Sequence, residues 1–327
     1  MKAKLLTGLA VMAITIMLFA CCEKENFQLP TVATAQMTAV TINSATGGVA
    51  VTNDGDSQIS SLGLCYSTTN IEPTTIDSKK SAISGVVNLT GLTSGTTYYV
   101  RAYAINKTGT GYGKVVKFTT TFETVSDYQG NVYRFTKIGT QTWMVENLRT
   151  TVFNDGSPIV NKTNAADWSR NTATTTPAYC WYNNDQSYKA TYGALYNGYA
   201  AADPKLCPTG WHVATASDYS TLISFLGGGN IAGGKMKGAG PEAGWQSPNA
   251  GADNSSNFSA LPAGYRSDLL TGGLGMFDEM RLVAMFWSST KSGSGMRNVI
   301  LEYNLPSVEQ YAIYNQSAGS SVRCIKN

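Results

Sequence analysis

The chain has 327 residues, enough for about two domains, and a formal net charge of +3 from 24 basic and 21 acidic side chains. Charged residues make up only 14% of the chain, and no block of five like charges occurs, which excludes nucleic-acid binding through a basic surface. The 33 glycines and the low charge exclude a coiled coil or a helical bundle, and a single histidine excludes a multi-histidine metal site.

The N-terminus has the pattern of a secretory signal peptide. Lys2 and Lys4 precede an apolar run over residues 5–20, which is shorter than the roughly 20 residues of a bilayer span. The run ends in LFAC, which resembles the lipobox of bacterial lipoproteins. The resemblance implies a signal peptide over residues 1–20, lipidation of Cys21 and attachment to the membrane through acyl chains. The alternative is an ordinary signal peptide with a chance cysteine.

The polar segment that follows predicts a tether over residues 21–30. Its acidic start, EKE, resembles the surface-export signals of some Gram-negative outer-membrane lipoproteins. We therefore expect an outer-membrane lipoprotein, facing either the periplasm or the cell exterior.

Residues 31–121 predict a small all-β sandwich, because short alternating runs are separated by turn residues. The strongest runs are GGVAVTN, ISSLGLCYSTT, GVVNLTGL and TTYYVRAYAI. The segment LTSGTTYYVRA, residues 92–102, resembles the fibronectin type III pattern. That resemblance implies a tyrosine corner at Tyr98, and it favours a spacer or interaction module over a dedicated ligand site. Cys65 is expected to be a small buried hydrophobic residue.

Residues 123–327 predict a second domain of mixed structure. The run YRFTKIGTQTWMVENL indicates two strands joined at Gly139. Thr215 and Asp218 form a capping-box-like start to one helix, which ends at the glycines of residues 227–229. Residues 227–295 hold only short strand-like runs, and long irregular stretches of this kind usually carry function.

This second segment resembles the Fibrobacter succinogenes major paralogous domain along its whole length. The resemblance is carried by DYQGNVYRFTKIGTQTWMVENLRTT, YCWYNND, TYGALYNGYAA, KLCPTGWHVATASDY, NSSNFSALPAGYR, FWSST and SVRCIKN. It implies an α+β C-type-lectin-like fold, akin to that of formylglycine-generating enzymes. It also implies a disulfide between Cys207 and Cys324, with Cys180 buried and free, or as the alternative paired with Cys207. An oxidising compartment permits that bond.

The fold resemblance raises an oxidase hypothesis, which the residues disfavour. Formylglycine-generating enzymes use a pair of cysteines late in the domain, and residues 208–323 contain none. His212 has no partner nucleophile or carboxylate at a recognisable spacing, so a structural histidine bonded to the backbone is the preferred interpretation. We therefore predict no enzyme, no catalytic residue, no cofactor and no resident metal, although a loop-bound calcium ion stays open.

Aromatic and polar side chains suggest ligand binding, because sugars stack on aromatic faces and their hydroxyl groups exchange hydrogen bonds with polar side chains. The candidate residues lie in two clusters, and Asn and Asp in such loops also commonly make turns. They are Trp181, Tyr182, Asn184 and Asp185 in the first cluster, and Trp245, Asn249, Asp253, Arg266 and Asp268 in the second. The sequence thus predicts a lipid-anchored binding protein that recognises glycan or protein through loops over residues 228–285. A structural or adhesin component that contacts other surface proteins is the alternative.

Overall fold

The computed structural model describes residues 27–169, 175–268 and 275–327. The predicted signal peptide, Cys21 and the first part of the tether lie outside the described residues. The chain divides into two compact units. The first holds Ser44–Gly91, Thr97–Thr119 and the residues up to Val40, and the second holds Thr41–Asn43, Leu92–Thr96 and Thr120–Asn327.

The first unit contains eight strands in two sheets. The strands are β1 (Thr31–Thr34), β2 (Ser44–Asn53), β3 (Ser61–Ser67), β4 (Ser78–Ser81), β5 (Val86–Thr90), β6 (Thr97–Ile105), β7 (Thr110–Tyr112) and β8 (Val116–Thr119). One sheet has the order β1-β2-β5, and the other has the order β4-β3-β6-β7 with β8 also paired to β6. All of these pairings are antiparallel, so the predicted β-sandwich is confirmed.

Alternation along β6 builds the core of this sandwich. Tyr98, Val100, Ala102 and Ala104 are all buried, as their period of two predicts for one face of a strand. The Tyr98 ring stacks on Phe118 with a centroid distance of 5.6 Å. The tyrosine-corner hydrogen bond of its hydroxyl stays a prediction.

The second unit contains fourteen described strands, most of them short. They are β9 (Glu123–Ser126), β10 (Val132–Ile138), β11 (Gln141–Met144), β12 (Val160–Asn161), β13 (Ala178–Cys180), β14 (Leu195–Asn197), β15 (Trp211–Val213), β16 (Tyr265–Arg266), β17 (Phe277–Asp278), β18 (Val283–Ser292), β19 (Gly295–Glu302), β20 (Val308–Asn315), β21 (Gly319–Ser320) and β22 (Cys324–Lys326). They form sheets of order β15-β22-β11-β10-β9, β12-β13-β14-β21-β16-β17 and β18-β19-β20. The C-type-lectin-like fold of this unit stays a prediction.

The described helices all lie in the second unit. They are α1 (Ala165–Ser169), α2 (Lys189–Tyr192), α3 (Gly198–Ala201), α4 (Ala216–Phe225) and α5 (Gly229–Met236). The predicted capping box of α4 is confirmed, since Thr215 and Asp218 exchange side-chain-to-backbone hydrogen bonds. The sequence interpretation missed α5, which begins within the glycines expected to end α4. Helix-weakening glycines hid it, because packing of Ala232 and Met236 in the core stabilises α5 despite its poor propensity.

The predicted disulfide between Cys207 and Cys324 is confirmed, with the two Cα atoms 6.0 Å apart. It closes an interval of 117 residues and fixes β22 beside the segment that leads into β15. Cys65 and Cys180 are free and buried. Cys180 therefore does not take the alternative pairing with Cys207. Among the described residues, no helix is both long and apolar enough to cross a bilayer.

Candidate functional site

The first predicted cluster lies where the chain leaves β13. Trp181 and Tyr182 are buried, and the Tyr182 ring contacts Phe277 at a centroid distance of 5.3 Å. The Asn184 side chain donates to the Thr163 carbonyl oxygen at 3.0 Å. Asp185 accepts from the Ser187 N–H at 2.8 Å, and this hydrogen bond lowers the pKa of its carboxyl group. These side chains stabilise turns or pack in the core. Trp181 and Tyr182 therefore do not present the exposed stacking faces that the sequence suggested.

The second predicted cluster is also largely internal. Trp245 is buried, and its indole N–H donates to the Ala260 carbonyl oxygen at 2.9 Å. The Asn249 side chain donates to the Gly238 carbonyl oxygen at 3.0 Å. Asp253 accepts from the Ser255 N–H at 2.8 Å in a local turn. The prediction that the Trp245 ring stacks on a sugar is incompatible with this burial.

Arg266 and Asp268 are each only 1% exposed. The Arg266 guanidinium donates to three carbonyl oxygens, those of Gly275, Lys162 and Thr163, at 2.7–2.9 Å. It also lies 4.6 Å from the ring centroids of both Trp168 and Phe277. Arg266 therefore joins three backbone segments instead of meeting a ligand. Burial excludes the surface role predicted for both residues.

The structure does not bring the two predicted clusters together. Tyr182 packs in a core group with Trp168 and Leu195, whereas Trp245 packs in another group with Phe258 and Phe286. Arg266 is the one point of contact between the described members of the two clusters, because it shares the Phe277 ring with Tyr182 and the Thr163 carbonyl oxygen with Asn184. The sequence grouped these residues by composition, and tertiary packing places them in separate cores.

A concave surface outside both predicted clusters lies on the sheet β18-β19-β20. Residues of one face pack into the core, because alternate side chains point to opposite faces of a strand. These inward residues are Ala284 and Phe286 on β18, Val299 and Leu301 on β19, and Val308 on β20. The opposite face forms the floor of a pocket of about 250 Å³.

Strand register explains which side chains form this floor. Met285 on β18 pairs with Ile300 on β19, and Ile300 in turn pairs with Glu309 on β20. Val283 pairs with Glu302 one row away. Cross-strand partners point to the same face, so three apolar side chains and two carboxylates share one surface. We call this site the sheet pocket; its lining is Tyr265, Glu279, Leu282, Val283, Met285, Ile300, Glu302, Tyr303, Glu309 and Tyr314.

A tight loop brings a third carboxylate to the sheet pocket. Glu279 lies between β17 and β18, and its carbonyl oxygen accepts hydrogen bonds from the N–H groups of Leu282 and Val283, each at 3.0 Å. Gly264 joins Tyr265 to this wall by donating to the Val283 carbonyl oxygen at 2.9 Å. A glycine is needed at 264, because φ is +64° and an added Cβ would lie 2.3 Å from the Asp278 carbonyl oxygen.

The electrostatic environment of the sheet pocket is acidic. Partial burial raises the pKa of Glu279, and the charges of Asp278 and Glu302 raise it further. Burial, with Asp278 and Glu279 close by, raises the pKa of Tyr265 to about 12. Burial and the nearby Glu309 also raise the pKa of Tyr314. The neighbouring charges that contribute to these shifts are all acidic.

Reasoning from the sequence missed the sheet pocket because it searched the irregular loops. Half of its lining falls within the predicted range of residues 228–285, namely Tyr265, Glu279, Leu282, Val283 and Met285. A signal was present in VILEYNLPSVEQY, where Glu302 and Glu309 interrupt two strand-like runs around an Asn-Leu-Pro turn. Pairing those runs as a hairpin would have placed both carboxylates beside apolar residues.

The expectation that His212 is bonded to the backbone is wrong. Its two ring nitrogens lie 2.7 Å from Asn327 Oδ1 and 3.2 Å from Asp218 Oδ2, so its partners are side chains and not the backbone. The carboxylate that the sequence did not reveal is therefore the capping residue of α4. With both nitrogens engaged, His212 links β15, α4 and the C-terminus. Among the described residues, no group of three His, Cys, Asp or Glu side chains is arranged to hold a metal ion.

Solved structures resemble part of this chain. A crystal structure of titin domains A168–A170 is 18% identical, with a TM-score of 0.24, and the match covers 29% of this chain and 33% of that one. The sensor domain of the anti-sigma factor RsgI4 from Pseudobacteroides cellulosolvens is 17% identical, with a TM-score of 0.21, over 29% of this chain and 96% of that one. This chain therefore spans a third of the titin fragment.

A human fibronectin type III domain, from the KIAA0970 protein, is 14% identical with a TM-score of 0.22, over 28% of this chain and 74% of that one. Among curated proteins, no relative matches the sequence. The family model of the Fibrobacter succinogenes major domain, by contrast, matches residues 136–326. Because that match covers more than half of the chain, the protein belongs to the Fibrobacter succinogenes major domain family.

Proposed function

We propose that this chain is a lipid-anchored, surface or periplasm-facing binding protein and that its sheet pocket is the ligand site. The observation that carries the proposal is a concave surface of about 250 Å³ that combines an apolar floor with polar walls. Binding sites typically combine apolar linings with a few convergent polar groups. Membership of the family and the first unit's β-sandwich are compatible with a binding or structural role at the surface.

Binding is favoured over catalysis by the state of the reactive side chains. The Cys180 thiol is fully buried, and burial raises its pKa to about 11 despite the nearby Arg266. A thiol of that kind is a poor nucleophile near neutral pH. Both ring nitrogens of His212 are already engaged by Asn327 and Asp218. The sheet pocket contains glutamates and tyrosines without an adjacent Ser, Cys or His.

Ligand binding can be tested with the purified full-length protein. A fragment library of neutral sugars, amines, carboxylates and short peptides would be screened by ligand-observed NMR, and a glycan array would run in parallel. The Val283→Phe variant should abolish or strongly weaken every hit that uses the sheet pocket, because the larger side chain fills its floor. Val160→Phe, at an exposed strand position elsewhere, should leave binding unchanged.

Circular dichroism and thermal melting would establish that both variants fold. If Val283→Phe does not fold, Glu309→Gln at an exposed position replaces it. Hits that are insensitive to every pocket substitution would overturn the assignment of the site. A complete lack of hits would overturn the proposed binding function.

The proposed anchor has its own test. Cells that express the full-length protein would be labelled with radioactive palmitate, and Cys21→Ser should lose the label because the lipid is attached through that thiol. Cys22→Ser is the matched control, since it changes the neighbouring cysteine and should keep the label. Equal labelling of wild type and Cys21→Ser would exclude lipidation at this residue. Protease treatment of intact cells would then distinguish a surface from a periplasmic location.

A further inference from the structure

We propose that the sheet pocket recognises an organic cation, namely a primary ammonium or a guanidinium group carried on a short aliphatic stem. This inference rests on the proposed function, because it names the chemistry of the ligand at the same site. Three features of the pocket support it: the distribution of carboxylates, the tyrosine walls, and the size and character of the floor.

The first feature is charge. Glu279, Glu302 and Glu309 come from a loop and two adjacent strands and converge on one pocket. No salt bridge pairs any of the three among the described residues. Like charges this close repel each other, and a ligand with positive charge would relieve that repulsion. The pocket therefore selects against anions and favours cations.

Two described basic side chains, Lys237 and Arg281, have hydrogen bonds to backbone carbonyl oxygens instead of to the pocket carboxylates. Lys237 is fully buried, and its ammonium group donates to the carbonyl oxygens of Glu302 and Leu305 at 2.9 and 2.8 Å. Arg281 follows Glu279 in the loop, and its Nε contacts the Gly244 carbonyl oxygen at 3.4 Å. Neither residue lines the pocket. The three carboxylates are thus available to an external cation.

The second feature is the set of tyrosine side chains in the pocket wall. Tyr265, Tyr303 and Tyr314 line the pocket beside the glutamates and are only partly buried. The faces of tyrosine rings attract ammonium and guanidinium groups, and the attraction is stronger where the cation is desolvated. Tyrosines combined with carboxylates favour an organic cation over a hydrated metal ion. No three acidic side chains of the described chain are arranged as metal ligands.

The third feature is the floor. Val283, Met285 and Ile300 provide a strip of aliphatic and thioether surface between the carboxylates. Long cationic side chains pack their methylene stems on apolar surface while the charged end contacts polar groups. A volume of about 250 Å³ is below the range of roughly 300–1,000 Å³ typical of drug-sized ligands. The pocket therefore suits one side chain or a small amine.

Calorimetry on the full-length protein at low salt tests this inference. The probes are n-butylguanidinium, n-butylammonium and the neutral isostere n-butylurea. We expect millimolar or tighter binding of both cations and at least about tenfold weaker binding of n-butylurea, a difference of about 1.4 kcal/mol. Raised salt should weaken the cations and leave the urea unchanged, because ions screen partly exposed charges.

Variants of single glutamates test whether the cations bind in the sheet pocket. Glu302→Gln should weaken cation binding by about three- to tenfold, because it removes one charge and keeps the shape of the side chain. Glu242→Gln removes an exposed glutamate outside the pocket and should change nothing. Glu309→Gln, at an exposed position of β20, serves as the second pocket variant if Glu302→Gln is unstable.

Two further pairs of probes distinguish whether the cation belongs to a protein side chain or to an amino sugar. A blocked Gly-Lys-Gly peptide and its Nε-acetylated form report on a protein side chain, and glucosamine with N-acetylglucosamine reports on an amino sugar. Equal binding of n-butylurea and n-butylguanidinium, or no change in Glu302→Gln and Glu309→Gln, would overturn the inference. If the pocket binds a neutral ligand and Val283→Phe abolishes that binding, the inferred preference for cations is refuted and the proposed binding function stands. If neither the probes nor any library member binds, both the inferred preference for cations and the proposed binding function are refuted.

Discussion

Three buried basic side chains, Lys237, Arg266 and Arg323, are stabilised by carbonyl oxygens instead of carboxylates. Arg323 is 0% exposed, and its guanidinium donates to the carbonyl oxygens of Met144 and Phe258 and to the Asn147 side chain. Burial lowers the pKa of Arg323 to about 10. Lys237 contacts two further carbonyl oxygens behind the sheet pocket. Both residues join chain segments that are distant in sequence, so removing either leaves buried acceptors unpaired.

Lys237 should make stability depend on pH in the mildly alkaline range. Burial lowers the pKa of Lys237 from 10.5 to about 8, so the unfolded chain holds this proton more tightly than the folded chain. The contribution of Lys237 to stability should therefore rise as pH increases from about 8 towards about 10, by at most about 3 kcal/mol, and the raised pKa of the buried Cys180 thiol opposes it over the same range. Chemical denaturation at several pH values measures this slope.

The Lys237→Met variant should lose that contribution to the slope, whatever its absolute stability. Lys137→Met, at an exposed position of β10, is the matched control and should retain it. Measurements should stay below the range in which tyrosines ionise. Burial raises the pKa of Tyr196 and Tyr219, and their contribution reverses the sign at higher pH. Identical slopes for wild type and Lys237→Met would contradict the prediction.

At the scale of elements, successive residues of the sheet β18-β19-β20 face alternately the core and the sheet pocket. Phe286 and Leu301 pack into the core from one face, while Met285 and Ile300 form the pocket floor on the other. The loop before β18 is equally constrained, because Glu279 and Arg281 both have positive φ, at 57° and 71°. Non-glycine residues in this region are strained and persist only where their surroundings hold them.

Gly264→Ala tests whether that loop and the pocket are coupled. The added methyl group would lie 2.3 Å from the Asp278 carbonyl oxygen, so the wall that carries Glu279 must move. We expect a loss of about 2 kcal/mol or more in the free energy of unfolding, together with weaker ligand binding. Gly130→Ala is the control, since Gly130 also has positive φ but has open space around it. It should cost about 1 kcal/mol through backbone strain alone and leave ligand binding unchanged. Equal effects of the two substitutions would contradict the role of close contact.

At the scale of the whole molecule, the second unit is assembled from short strands that depend on long-range closure. The disulfide between Cys207 and Cys324 joins the segment before β15 to β22, and the paired strands β11 and β22 come from opposite ends of the unit. The described helices have at most ten residues. Elements this short have little intrinsic stability, so contacts between distant segments provide most of it.

Removing the disulfide should therefore destabilise the second unit. The double variant Cys207→Ser/Cys324→Ser is expected to lose about 2–5 kcal/mol and to melt at a lower temperature. Differential scanning calorimetry measures the change. A reducing agent should lower the melting temperature of wild type towards that of the double variant and should leave the variant itself unaffected. An unchanged melting temperature on reduction would show that the bond contributes little.

Prediction from sequence succeeded where the signal was local. Alternation along β6, the capping box at Thr215 and Asp218, and the pairing implied for Cys207 and Cys324 were all identified without the structure. It failed for α5, whose glycines mask a helix, and for the candidate ligand residues. Trp245 and Arg266 have side chains suited to ligand contact, but burial depends on neighbours that the local sequence does not reveal.

The sequence by itself determined the β-sandwich of the first unit, the family of the second unit and its stabilising disulfide. Periodicity and turn residues encode the β-sandwich within a few positions, whereas the pairing of Cys207 with Cys324 was implied by the resemblance to the family. Tertiary structure alone decided the candidate site. The sheet pocket combines Tyr265, Glu279, Glu302 and Tyr314, which meet only when β16 and the loop before β18 pack against the hairpin of β19 and β20. Strand register then decides which side chains face solvent, because a shift of one residue would turn the glutamates towards the core.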